Sequence, residues 1–342
     1  MLHTMENSFR RNSISTIRII AALQVLYIHV ITHFDIAIPT FITSLSKVFM
    51  GVPFFFAASG FLIWHSLEKY RYRGGYKEYL LNRFTRIYPE LWVAVGIELV
   101  LIVVFVETID WLKLGLFCVA QGTVLQFWTP DFLRGFGCGV PNGSLWTICI
   151  IIQFYLLALF MYRILHERKR WAWIAALVFT IIIKAVNPFF NEVLPEMIYK
   201  LYSVTLIPFL FFFVLGAMLA EYWNEKASAL IKKLWPVFLG LTVLFIFIGK
   251  DIDSGNYGVI TYSFQFFALI GFAYSFPALS AKRDISYGIY LYHMLIVNVM
   301  LELGMTDGSV WYLPLVALAS CILAFGSSFI PELTKKLIKK RG

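Results

Sequence analysis

Arg18 and His29 stand eleven residues apart inside one apolar stretch that runs from Ile14 to Phe34. At 100° per residue, eleven residues come within about 20° of three full turns, so on a helix both side chains project from one face. Along the axis they are about 16 Å apart, which puts Arg18 near one membrane boundary and His29 past the midplane. An ionisable group in hydrocarbon costs about 2.5 kcal/mol or more unless it faces a cavity or a partner, so the pair predicts a polar path along that face. The plainer alternative is that Arg18 snorkels to headgroups while His29 makes one interhelical hydrogen bond. His33, four residues beyond His29, has the spacing of a metal pair. Two histidines with no acidic ligand near them make a poor ligand set, and no metal is expected.

Other residues carry chemistry at definite spacings. Arg83 and Arg86 are three apart, next to Tyr88-Pro89, and two adjacent guanidinium forks at a membrane surface suit an anionic phosphate ligand. An anchor on lipid headgroups is the alternative. The run from Asn142 through Gly143, Ser144 and Leu145 to Trp146 and Thr147 opens an apolar segment whose strongly polar interior residue is Gln153, placed to join helices or touch a substrate. Tyr287, Tyr290 and Tyr292 surround His293; an aromatic belt accounts for most of them, and His293 belongs either to packing or to a pocket. His65, Glu90, Glu98, Lys184 and Glu302 lie near segment ends and read as interfacial.

These residues need a membrane scaffold. Of 342 residues, 60% are hydrophobic and 14% charged, which excludes an ordinary soluble domain. Apolar stretches near 14–34, 48–67, 87–106, 145–163, 172–187, 203–221, 235–249, 258–276, 286–303 and 310–331 predict an all-α polytopic protein of about ten transmembrane helices. The segment 112–128 is apolar but short and broken by glycine and glutamine. If it does not cross, one face collects twenty-two Lys and Arg, from Arg10 and Arg11 through Arg73 to the KKLIKKR tail, against six on the other. The positive-inside rule therefore makes 112–128 an interfacial or re-entrant helix and both termini cytoplasmic. Topology explains the net charge of +9, so nucleic acid is not needed as a partner. The first stretch is too long for a signal-peptide core and reads as a retained helix. The four cysteines have no CxxC spacing and suggest neither disulfide nor zinc framework. One membrane domain over 1–342 is expected, with the long extracytoplasmic loop 107–144 as lid or acceptor-binding element.

Five motifs in order resemble the membrane acyltransferase 3 family, the bacterial O-acyltransferases of surface polysaccharides. STIRIIAALQVLYIH resembles its R-x10-H segment at Arg18 and His29. GVPFFFAASGFLI is similar to its second span at Gly51, Phe55, Phe56, Ser59, Gly60 and Phe61. RFTR resembles its R-x-x-R at Arg83 and Arg86, LWTICIIIQFYLL its L-W-S-L-x-x-E-x-Q-F-Y, and YGIYLYHML its last motif, Y-x-x-Y-L-x-H. One departure stands out: Ile151 and Ile152 occupy the place where many members carry acidic residues.

The resemblance implies transfer of an acyl group, expected to be acetyl, from cytoplasmic acyl-CoA to a hydroxyl of an extracytoplasmic polysaccharide or lipid-linked sugar. It implies a protein of the bacterial cytoplasmic membrane, with acetyl-CoA as co-substrate. It gives Arg83 and Arg86 the CoA phosphates and His29 the role of general base or transient acyl carrier, with Arg18 orienting it or stabilising charge on the donor. Ser59, Trp146, Thr147, Gln153 and His293 become substrate-side candidates. A flippase of lipid-linked saccharide would use the same cationic path, and a noncatalytic scaffold in polysaccharide assembly would not need the Arg18/His29 face.

Overall fold

The computed structural model of the protein describes residues 11–72, 75–253 and 257–341; Arg10 and Arg73 of the cationic inventory lie outside the described residues. Within them the backbone forms helices and short 3-10 turns with no strand. A chain that spans lipid must satisfy its peptide groups internally, and helices do so. In chain order they are α1 (Ile14–His33), α2 (Thr40–Ser46), α3 (Gly51–Tyr72), α4 (Gly75–Phe105), α5 (Trp111–Gln121), α6 (Trp146–Leu165) and α7 (Arg170–Val193). Then follow α8 (Glu196–Ser203), α9 (Leu210–Glu221), α10 (Glu225–Ile248), α11 (Val259–Ser275), α12 (Ser286–Glu302), α13 (Tyr312–Ser327) and α14 (Ile330–Arg341).

Among the described residues, seven helices are long and apolar enough to cross a membrane, or eight if α8 and α9, bent by 53°, make one broken span. The expected ten is therefore met in part. The two remaining stretches fall on α11 and α12, each 17 residues and so about 26 Å long, a little under a 30 Å hydrocarbon core. A second difference concerns α4, which begins at Gly75 rather than near residue 87, so Arg83 and Arg86 sit on a helix and not in a loop.

The fold divides into two compact units, each built from separate stretches of chain. The first comprises residues up to Ala21, Thr40–Tyr79 and Gln153–Lys282. Its tightest pairing is α3 on α9. A Cβ on Gly60 would strike the Phe213 carbonyl, and one on Gly216 would strike the Ala57 carbonyl, so the two backbones touch. Lipid offers no hydrophobic drive between helices, and close packing of small residues supplies it instead. Aromatic rings fill the flanks, with Phe154 stacked on Phe213 at 4.4 Å and Phe56 against Phe209 at 4.9 Å.

Buried charge in this unit is paired. Lys184, expected at an interface, is instead fully buried, with Nζ 2.5 Å from Asp253 Oδ2, which also accepts from Asn187 Nδ2 at 3.1 Å. Glu221 accepts from Trp64 Nε1 at 2.7 Å and from the Glu167 backbone N–H at 2.7 Å, and lies 3.0 Å from His166 Nδ1.

The second unit comprises Ala22–Pro39, Leu80–Ile152 and Arg283 onward. Here α12 packs between α4 and α13. Tyr287 donates to the Ile87 carbonyl at 3.1 Å, Gly288 lies against Ala324, and Ser327 donates to Glu90 Oε1 at 2.5 Å. The segment after α4 forms a hairpin. Asp110 caps α5 by accepting the Lys113 backbone N–H at 3.0 Å, which holds its carboxyl below the usual range. Leu114 and Phe117 of α5 pack on Ile102. The helix then runs back along α4 until Trp92 donates to the Gly122 carbonyl at 2.9 Å and Tyr88 to the Thr123 carbonyl at 3.2 Å. From Ile102 to Tyr88 is about 21 Å along α4, and the chain returns to the Ile102 level at Leu133. At eleven residues, or about 17 Å, α5 is too short to cross a bilayer alone.

The stretch leading into α6 is strapped to α12. Gly137 N–H donates to Glu302 at 2.6 Å and Cys138 N–H to Asn298 Oδ1 at 2.9 Å, while Asn298 Nδ2 donates to the Val140 and Pro141 carbonyls. Asn142 reaches the Leu291 carbonyl at 2.9 Å and Ser144 the Tyr290 carbonyl at 3.1 Å. The strap is bonded at four levels of one helix.

Candidate active site

The second unit gathers His29, Arg83, Arg86, Trp146, Thr147 and His293; the first holds Arg18, Ser59 and Gln153. Arg18 and His29 do lie on one continuous helix, α1.

Three imidazoles meet in the second unit. His29 and His33 stack with ring centroids 5.7 Å apart and planes within 6°, as spacing of four on a helix allows. The His293 ring lies 5.2 Å from His29, tilted by 43°. Its Nδ1 sits 3.1 Å from the Ile289 carbonyl oxygen, one turn back on α12. A carbonyl only accepts, so Nδ1 carries the proton and Nε2 presents a lone pair. His293 is fully buried, and among the described residues Nε2 has no partner. Leaving such an atom unpaired in an interior costs about 1–3 kcal/mol. The described residues contain no group of three or more His, Cys, Asp or Glu arranged to hold a metal ion.

The neighbouring polar groups are committed. Thr147 Oγ1 lies 2.8 Å from Tyr290 Oη, and Tyr290 donates onward to the Ser144 carbonyl at 3.0 Å. The single Thr147 proton goes to Tyr290 in this chain, which leaves Thr147 an acceptor rather than an oxyanion donor. Tyr290 in turn meets the His293 ring edge-on at 5.8 Å. Trp146 is half-buried at the start of α6. In the first unit, Gln153 bridges the break before α9, accepting from Leu206 N–H at 2.9 Å and donating to the Val204 carbonyl at 3.2 Å. That amide splices a broken helix. Ser59 is half-buried on α3, next to the Gly60 contact.

On α4, Arg86 is 44% exposed and 3.9 Å from Asp284, a loose pair that a stronger anion can displace. Asp284 also accepts from the Ser286 N–H and hydroxyl at the start of α12. Glu90, one turn beyond Arg86, and Glu98 are both buried rather than interfacial. Neither Glu98 oxygen has a partner among the described residues. The sequence signal for both was an acidic residue within an apolar run. Asp284 carried no signal of its own, and Tyr290 read as part of an aromatic belt, because what matters is which helix each meets.

The structure thus has an all-helical scaffold with membrane-spanning helices, three histidines in ring contact around the buried His293, and two arginines three residues apart on α4. The chain belongs to the acyltransferase 3 family, whose acyltransferase domain matches residues 11–332. It is 28% identical over 331 residues to nodulation protein 10 of Rhizobium leguminosarum bv. viciae, covering 87% of this chain and 86% of that protein. No solved structure matches it.

Proposed function

We propose that the protein transfers an acyl group, acetyl in the first instance, from acyl-CoA on the cytoplasmic side to a hydroxyl of a polysaccharide or lipid-linked sugar on the other. Ten spans, made of the eight long or bent ones plus α11 and α12, would place both termini in the cytoplasm of a bacterium's inner membrane, as loop charge favours. The observation that carries the reading is the meeting of His29 with His33 and His293 in the unit that also holds Arg83 and Arg86.

Arg83 and Arg86 hold donor phosphates, with the Arg86–Asp284 pair giving way. The thioester reaches His29, whose imidazole can take a proton on its lone pair and give it back. The acceptor oxygen forms a bond to the acyl carbon as its proton passes to His29. The carbon–sulfur bond then breaks, and His29 returns the proton to the thiolate. Arg18, on the first turns of α1, counters donor charge at the cytoplasmic boundary. Trp146 serves the acceptor side as a stacking surface, and Ser59 and Gln153 remain acceptor-side proposals of the first unit.

The test is acceptor-dependent release of free CoA from acetyl-CoA by purified protein in liposomes with a candidate saccharide. Release lost in His29→Ala and a raised acetyl-CoA requirement in Arg83→Ala would support the reading. Binding or movement of a lipid-linked saccharide with no release from any donor would overturn it in favour of a flippase.

A further inference from the structure

Among the described residues, no carboxylate stands where it would orient His29 as a base. Residues 151 and 152 are isoleucines, and among the described residues no acidic side chain lies within ion-pair distance of His29. Something must nonetheless fix the imidazole, because a general base is useful only when its lone pair, and not its N–H, faces the incoming hydroxyl. Its ring neighbours are His33, which lies flat against it and so offers a face rather than a nitrogen, and His293.

We infer that His293 is the positioning residue for His29: its buried Nε2 accepts the His29 N–H, so that the opposite nitrogen of His29 presents its lone pair to the substrate. This rests on the reading of His29 as the base. Three observations meet here. The hydrogen bond from His293 Nδ1 to the Ile289 carbonyl fixes which nitrogen bears the proton, making Nε2 an acceptor. That acceptor is buried and has no partner among the described residues, so it is free to accept a proton donor brought against it. The ring separation of 5.2 Å also equals what an N–H···N contact between two imidazoles needs: roughly 2.9 Å between nitrogens plus about 1.1 Å from each nitrogen to its ring centre. A turn of the His29 ring about its own side-chain bond closes the contact. His293 cannot turn to meet it without giving up Ile289, and Tyr290 lies edge-on against it. The rigid member is thus the one on α12, and the mobile one is the base. When His29 takes the substrate proton, the same N–H···N bond stabilises the resulting imidazolium, the service a carboxylate performs elsewhere.

The experiment uses the full chain in liposomes with ring-15N histidine, which labels its six histidines, and His29→Asn to assign the His29 signals. Two variants separate the roles. His293→Asn keeps a donor for the Ile289 carbonyl but ends short of the Nε2 position; His293→Gln places an amide oxygen there. In the wild type the His29 nitrogens are expected to show one fixed neutral tautomer, which becomes a mixture in His293→Asn and returns in His293→Gln. Turnover is expected to follow: kcat falls about 100-fold in His293→Asn with the acyl-CoA KM unchanged, and recovers at least tenfold in His293→Gln. A His29 tautomer that does not change in His293→Asn overturns the inference, as does a rise in KM with kcat preserved. The nitrogen spectra need no turnover. A protein that transfers no acyl group but shows the tautomer change would refute the proposed activity and leave the pairing standing.

Discussion

The two units treat their buried carboxylate, lysine and histidine side chains in opposite ways. In the first, Lys184 is neutralised by Asp253 and braced by Asn187, and Glu221 collects an indole, an imidazole and a backbone N–H. In the second, among the described residues, Glu98 has no hydrogen-bond partner, Glu90 has one hydroxyl, and His293 has one backbone carbonyl on one of its two nitrogens. Each unpaired group carries a cost in an apolar interior, so the first arrangement is what stability alone would select. Buried groups left incomplete by their own fold are the ones available to a ligand or to each other in a reaction. On the proposed reading, the contrast sets ion-paired structure in the first unit against the His29 chemistry in the second.

Substitutions can break that contrast or sharpen it. The largest effect is expected from His29→Ala, with acyl transfer reduced about 10²- to 10⁴-fold and unfolding little changed, read by CoA release alongside a denaturation curve. Lys184→Met should do the reverse. It strands Asp253 and should cost about 3–5 kcal/mol in reversible unfolding, while the double variant with Asp253→Leu recovers most of the loss. Equal activity losses from Lys184→Met in folded protein would erase the division drawn above. Next, Gly216→Ala should destabilise by about 1–3 kcal/mol, because the Ala57 carbonyl lies on rigid backbone and cannot yield as a side chain would. Removing one guanidinium with Arg86→Ala should raise the acetyl-CoA KM about tenfold at unchanged kcat, measured in initial rates at low salt. The smallest structural effect belongs to Glu98→Gln. With no hydrogen-bond partner to lose among the described residues, it should shift stability by under about 1 kcal/mol, in contrast to Asp253→Asn in the first unit.

Much of the scaffold was legible because lipid enforces simple rules. Apolar length gave the helices, and loop cations gave a parity that made 112–128 non-crossing; the structure there has an eleven-residue helix in a hairpin. The pattern could not show that α4 starts twelve residues before the apolar run, since Lys77, Glu78 and Arg83 are good helix formers that hydropathy counts as loop. Nor could it judge α11 and α12, whose 17 residues straddle any length threshold. In the site, Arg18 and His29 were readable from one helix's periodicity. The apposition of His293 to His29 was not, because it depends on the register of α12 against α1, which no local pattern encodes. Gln153 illustrates the converse: a lone polar residue in an apolar helix was expected to join helices or meet substrate, and in the structure it holds the ends of a helix break.

The contact of α3 with α9 bears on how the protein is made. Gly60 and Gly216 are separated by roughly 150 residues of chain, which at 5–20 residues per second is roughly 8–30 s of translation. For that interval α3 sits in the bilayer with its glycine face bare, offering a docking groove to any small-residue helix that arrives first. Sequential insertion therefore makes this pair a timing problem, and synthesis slowed between α3 and α9 should lower the yield of correctly assembled protein without changing a single residue.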